Sequence, residues 1–478
     1  MHHALTSRRF LQVVVLLGLG ITAYCVLPRI AVDPASLLLA STRGALTGCV
    51  VAMTFGRDAR ASQVVATSGA SAAVGAAVLG VTSIANYGTG VAGLVAAATV
   101  AYLVSGAIQM GRQRLATAAC LGVICFATLV SSGYWSGPVL AVDDGERLSS
   151  LTTQPQHQQY SFDGFVYLRT LDLMKHGKPY YAAFTEAVDG QLGLASNPLP
   201  SPLNFREPLL FHVWAILPGD MPIDLLGWFV AFALVIQLSA YFVARRLASP
   251  GPALMAPMLL IPYLSFFMRH NAWFTMMEIW AVGLVMAGLA CMLRGRWFLS
   301  LALLLAGIAT RELMVLAAPA WLVAWWFWSP PGRRQLWVPP VIVLGPALIL
   351  GAHWWAAPAT GGPGGDSSRW LTGPNFDRFQ DALSFAWTPM IGATLLALTV
   401  PLAALTGPLI THRTREALPL TCLVTVPMLF LALFSSGPAG AYWGAVLVPL
   451  TIAIAPSVLT TVYPLAPIPK LGAARLEM

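Results

Sequence analysis

Hydrophobic and polar positions alternate along this chain in long blocks. Apolar runs of about 20 residues recur, the length a helix needs to cross a bilayer core about 30 Å thick. They predict membrane-spanning helices near 10–30, 36–55, 62–82, 88–110 and 115–136. Further spans are expected near 223–246, 252–268, 272–293, 296–310, 313–329 and 336–354, and a last group near 387–408, 416–434 and 440–461. The expected fold class is therefore all-α, a polytopic transmembrane bundle of about 14 spans, because only helices and closed barrels satisfy their backbone groups in lipid. Two polar stretches, 137–206 and 355–386, interrupt the apolar pattern. The segment 208–218 is apolar but too short to cross alone and reads as a re-entrant or interfacial piece.

The placement of basic residues orients these spans. With the N-terminus inside, successive inner segments carry Arg8 and Arg9, Arg57 and Arg60, Arg112 and Arg114, Arg245 and Arg246, Arg294 and Arg296, Arg333 and Arg334, Arg413 and Arg415, then Lys470 and Arg475. This regular pairing follows the positive-inside rule, and counting 208–218 as a span would break it from Arg245 onward. The expected topology has both termini cytoplasmic and both long polar stretches outside. The start, Ser7-Arg8-Arg9-Phe10, reads as a signal anchor with a basic inner flank.

Composition agrees with the pattern. Hydrophobic residues make up 57% of the 478 residues and charged residues 10%, against about 25% charged in typical soluble domains. A soluble globular protein, a disordered chain and a nucleic-acid-binding domain are excluded on these grounds. The formal net charge of +8 is unevenly distributed. Inner segments are strongly basic, whereas outer segments are acidic overall with a few arginines among the carboxylates. The six cysteines lie inside apolar runs and read as small buried hydrophobes, with no disulfide or thiolate metal site expected.

Three divisions are expected: an N-terminal four-helix membrane module over 1–112, a central module over 113–354 containing the outer loop 137–206, and a C-terminal part over 355–478 with the second outer loop. The first four spans are rich in Gly, Ala, Ser and Thr, which let helices approach closely in lipid. Arg43 lies inside the second span, where an Arg faces protein, water or the interface.

The candidate chemistry is outside. Within the first outer loop, Phe162, Phe165 and Val166 form one apolar group and Tyr167, Leu171 and Met174 an adjoining one. That spacing predicts a surface helix over 162–174, ended by Gly177 and kept from resuming by Pro179. Asp163 opens it, a position suited either to an N-cap or to catalysis.

The pattern Asp163-x-x-x-Tyr167, followed by Gly177 and Tyr180 after a predicted span, resembles the first outer loop of the GT-C superfamily of membrane glycosyltransferases. Arg206-Glu207-Pro208-Leu209 is similar to the segment that closes that loop. Arg269-His270-Asn271 with Glu278, the turn Ala309-Thr310-Arg311-Glu312, and Gly440-Ala441-Tyr442-Trp443 with Pro449 resemble further family pieces, in the same order over about 113–461. The resemblance implies an inverting transfer of a sugar from a polyprenyl-phosphate donor to a hydroxyl on a lipid or glycan acceptor at the outer face of a bacterial plasma membrane. Asp163 is then the expected general base, with Asp144 as the second candidate, because Asp143 and Asp144 stand closer to the preceding span. Arg206, Arg269 and Arg311, backed by Lys178 and His270, are expected to bind the lipid phosphate. Tyr167, Glu207, Glu278, Glu312 and Tyr442 complete the expected donor site, and either Glu278 or Glu312 can instead orient an arginine. Arg311 and Glu312, if helical, point apart and need not pair.

No resident cofactor is expected. A divalent cation on Asp143, Asp144 and Glu146 is the weaker reading beside a solvated loop. High Gly, Ala and Arg content suits a GC-rich bacterial genome, in which mannose or arabinose donors are plausible by association. The alternative function is a multi-span transporter or lipid flippase in which Arg43, Glu278 and Arg311 line a path. A third reading is a catalytically silent assembly partner.

Overall fold

The computed structural model describes residues 162–192, 206–218, 223–248, 250–269, 273–329, 335–357, 393–410, 414–434 and 443–461, with isolated helical positions near 121–124 and 379–383. The described residues are all-α in class, helices joined by short turns and extended links, and contain no strand. The N-terminal module, Arg43, the first four predicted spans and most of the fifth lie outside them, as do Asp143, Asp144, Glu146, His270 and Tyr442.

The polar stretch 137–206 supplies α1 (Phe162–Lys175) and α2 (Tyr180–Leu192). Helix α1 matches the predicted surface helix, and Gly177 ends it at φ +89°. The Lys178 amide reaches back to the Leu173 carbonyl and the Gly177 amide to that of Met174, a Schellman closure that uses the left-handed glycine. Past Gly177 the chain starts a separate helix and does not resume α1, as expected from Pro179. The Pro179 carbonyl accepts the Ala183 amide, so this residue heads α2. The short apolar piece becomes α3 (Leu209–Ile216), eight residues and about 12 Å long.

The bundle begins with α4 (Ile223–Leu247). It continues through α5 (Met255–Arg269), α6 (Met277–Met292), α7 (Trp297–Ile308), α8 (Ala318–Trp328) and α9 (Val338–Ala356). The C-terminal part contributes α10 (Ala393–Ile410), α11 (Thr414–Phe434) and α12 (Leu447–Ile454). Residues 224–247 and 338–356 form helices long and apolar enough to cross a membrane.

Other apolar helices are shorter than their predicted spans, for local reasons. The span expected over 272–293 is split at Met276, whose extended backbone separates the 3-10 turn Trp273–Thr275 from α6. That expected over 313–329 starts as the 3-10 turn Glu312–Ala317, with Pro319 then opening α8. That expected over 440–461 finishes in the 3-10 stretch Ala455–Thr461, which contains Pro456.

Helices α7 and α8 fold back on each other, with Thr310-Arg311-Glu312 at the tip. The Trp321 indole donates to Ser300 Oγ across this hairpin at 2.9 Å. Helix α6 lies alongside α7 and, through the turn at Gly295 (φ +75°), runs opposite to it. Glu278 and Arg311 consequently share one end of the bundle. Arg246 and Arg294 lie at the other, with their guanidinium groups over the rings of Trp328 (5.9 Å) and Phe242 (3.7 Å).

Aromatic packing joins α1, α2 and α3 to the bundle. Tyr167 and Tyr180 meet Phe211, Phe211 meets Trp214, and Trp214 meets Trp280, with centroids 5.0–5.7 Å apart. Trp280 in turn stacks on Phe232 of α4 at 4.8 Å. Gly283 permits this approach, since a Cβ there would stand 2.5 Å from the Phe232 ring. Gly283→Leu is therefore expected to overpack the α4–α6 contact and cost about 1–3 kcal/mol, read as a lower unfolding temperature in detergent.

Candidate functional site

The site forms where α1, α2 and Arg206 meet the α7–α8 tip. On α1, Asp163 and Tyr167 are four residues apart and so occupy one face. Arg206 lies in non-helical chain before α3, and its Nε donates to the Tyr167 hydroxyl at 2.7 Å. The Tyr180 hydroxyl donates to the Arg206 carbonyl. Two tyrosines from two helices thus fix one arginine, one through its side chain and one through its backbone.

At the tip, α7 closes with the Arg311 amide on the Gly307 carbonyl. Arg311 itself is extended (φ −152°, ψ 119°) before the 3-10 turn begins at Glu312. That conformation explains a departure from the sequence reading. Arg311 and Glu312 would diverge if both were helical, but the extended residue swings the side chains together, and Arg311 Nη1 donates to Glu312 at 2.6 Å. Arg311 Nε donates to Glu278 at 2.7 Å. Gly307 brings the two helix ends into register: a Cβ there would stand 2.9 Å from Val285 and 3.1 Å from the Ala281 carbonyl.

The cluster is nearly dry. Arg311 is 1% exposed and Glu278 2% exposed, while the Glu312 side chain is 27% exposed and forms part of the open edge. Burial of such a pair repays its desolvation only when every charge is met, which the bidentate role of Arg311 accomplishes. Glu207 is also buried and faces Glu312. Burial pushes its carboxyl up to about 9, and the charge of Glu312 and the hydrogen bond between the two acids push the same way. The Tyr167 hydroxyl is held well above its ordinary range by burial, with Asp163 and Glu278 adding to the effect and Arg206 and Arg311 opposing it. Asp163 therefore lies within electrostatic reach of the cluster and is itself only half-buried.

Of the residues singled out from sequence, Tyr167, Arg206, Glu207, Glu278, Arg311 and Glu312 come together, with Asp163 beside them. Lys178 does not join them. It pairs with Glu186 near the α1–α2 corner, where Arg169 also bonds Asp172 at 2.7 Å. Arg269 closes α5, while the alternative base Asp144, together with His270 and Tyr442, lies outside the described residues.

The sequence reading gave no site role to Tyr180, nor to Tyr181, whose hydroxyl meets His353 Nδ1 at 3.0 Å and ties α2 to α9. A helical repeat after Pro179 would have been the signal for both. Among the described residues, no group of three or more His, Cys, Asp or Glu side chains is arranged to hold a metal ion. Comparison with protein-family models, curated proteins and solved structures finds no match.

Arg311→Met is expected to destabilise the protein by about 3–5 kcal/mol, because it strands Glu278 as an unpaired buried charge. Adding Glu278→Gln should recover most of that loss. Thermal unfolding of the single and double variants in detergent checks both.

Proposed function

We propose that this chain is an integral membrane glycosyltransferase that moves a sugar from a polyprenyl-phosphate donor to a hydroxyl acceptor at the outer face of a bacterial plasma membrane. The observation that carries this reading is the convergence of Asp163, Tyr167 and Arg206 from the outer segment with Arg311 and its carboxylates at the bundle end opposite Arg246 and Arg294. A single-displacement transfer needs a carboxylate for the incoming hydroxyl proton and cations for the departing phosphate, and both kinds of group are present.

Asp163, on the open side, serves as the base. Arg206 and Arg311 are held in fixed orientations by Tyr167, Tyr180, Glu278 and Glu312, so little reorganisation accompanies charge development on the phosphate. Attack opposite the leaving group inverts the anomeric carbon. A narrow apolar crevice begins one residue beyond Glu312, between Leu313, Met314 and Ala317 on one side and Phe430, Trp443 and Leu447 on the other. It offers an isoprenoid tail a path leading from the polar cluster. The full span count and the orientation of both termini belong to this same reading, as an extension of the two membrane-length helices.

Asp163→Asn is expected to lower transfer about 10²–10⁴-fold with little change in unfolding temperature. The measurement is product formation by purified protein given polyprenyl-phosphate mannose or arabinose and a glycan or lipid acceptor. Full activity in Asp163→Asn removes this base assignment. Failure of the wild type to bind either donor, with facilitated lipid movement across vesicles, favours the transporter.

A further inference from the structure

Glu207 contains a buried side-chain atom that the charged form cannot satisfy. The residue is 2% exposed, and among the described residues its Oε2 has no hydrogen-bond partner. Its neighbour across the α7–α8 tip is another acid, Glu312, which Arg311 holds at 2.6 Å. Two carboxylates cannot hydrogen bond to each other, since neither donates. One proton resolves both problems: it turns Glu207 into a donor toward Glu312 and removes a buried charge.

The surroundings fix where that proton resides. From the tip and from α6, Arg311 faces Glu312 and Glu278 and pairs with both. Arg206, next to Glu207 in the chain, is turned toward Tyr167 of α1, whose other charged neighbour on that face is Asp163. From α2, Tyr180 and Tyr181 approach Glu207 and stay neutral, and His212 on α3 is exposed beyond the Tyr180 ring. Arg206 and Arg311 thus already balance Glu278 and Glu312. An ionised Glu207 would make a buried cluster net negative, which opposes both folding and the approach of a phosphate.

We propose that Glu207 and Glu312 hold one proton between them, and that Glu207 delivers it to the phosphate oxygen released as the sugar departs. This role rests on the glycosyltransferase reading. The acceptor O–H bond breaks and its proton passes to Asp163, while the acceptor oxygen bonds the anomeric carbon. The bond from that carbon to the phosphate oxygen breaks, and its electron pair stays on the oxygen. Glu207 gives its proton to the phosphate, so the lipid phosphate leaves as a monoanion, the charge at which the donor arrived. Asp163 ends neutral and Glu207 ends ionised, and solvent exchanges the proton back. Glu207 is then a catalytic residue complementary to Asp163.

Two measurements decide this. The first needs no donor: infrared difference spectroscopy of purified protein at neutral pH, with carboxyl carbons isotopically labelled. A protonated-carboxyl band is expected in the wild type, lost in Glu207→Gln and kept in Glu186→Gln. A spectrum that Glu207→Gln leaves unchanged overturns the shared proton. The second is the pH profile of kcat with polyprenyl-phosphate mannose. Wild-type kcat should fall about tenfold per pH unit above about 9, where Glu207 gives up its proton. Glu207→Gln, which keeps a neutral donor of the same shape, should bind donor with similar KM, lose about 10²-fold or more in kcat and lack the alkaline limb. A variant that keeps the limb, or keeps its kcat, overturns the acid role. If the wild type transfers nothing from any lipid-phosphate donor, the function reading falls and the acid role with it, while the infrared result still decides the shared proton.

Discussion

Arg311 must be paired, and the arrangement of this end of the molecule depends on that requirement. A guanidinium 1% exposed cannot shed its proton and cannot reach water. It needs acceptors from more than one direction. Glu278 supplies one from the start of α6, and Glu312 supplies another from the start of the 3-10 turn. Each demand constrains the backbone. The extended conformation of Arg311 interrupts two helical stretches, and Gly307 lets α7 approach α6 closely enough for the reach to Glu278. The helix breaks that shorten these segments therefore form part of the same solution as the ion pairs.

The segment around α1, α2 and Arg206 adds a cation to this end, while burial pushes the Glu207 carboxyl upward and pushes the surrounding tyrosines away from ionisation. What distinguishes the cluster from an ordinary buried salt bridge is its edge, where Asp163 and Glu312 remain partly accessible. Carboxylates and arginines consequently stand together beside a partly accessible edge, and the aromatic packing behind them limits how far they can relax.

Much of this was legible in the sequence, though unevenly. Long apolar runs marked 223–246 and 336–354 within a residue or two of α4 and α9, because uninterrupted hydrophobic stretches leave one backbone solution. The end of α1 was legible because Gly177 followed by Pro179 has a specific backbone consequence. The same Pro179 concealed α2, since a proline stops one helix and starts the next equally well, and only the periodicity after it distinguishes the two cases. Short order-dependent motifs picked out most of the site residues. Their partners were not legible. The Arg311–Glu312 contact depends on one extended residue, and the Glu207–Glu312 contact joins positions about a hundred residues apart in sequence. Local spacing carries no trace of either.

The aromatic column from Tyr167 to Phe232 has a mechanical consequence. Helices α1, α2 and α3 are attached to the bundle by edge-to-face rings as well as by the covalent chain, and Arg206 is anchored separately to α1 and α2 by its two tyrosine bonds. The site therefore behaves as a non-covalent joint. A protease cut between Leu192 and Arg206 would leave two polypeptides held in place, with Tyr167, Arg206 and the Arg311 cluster still together.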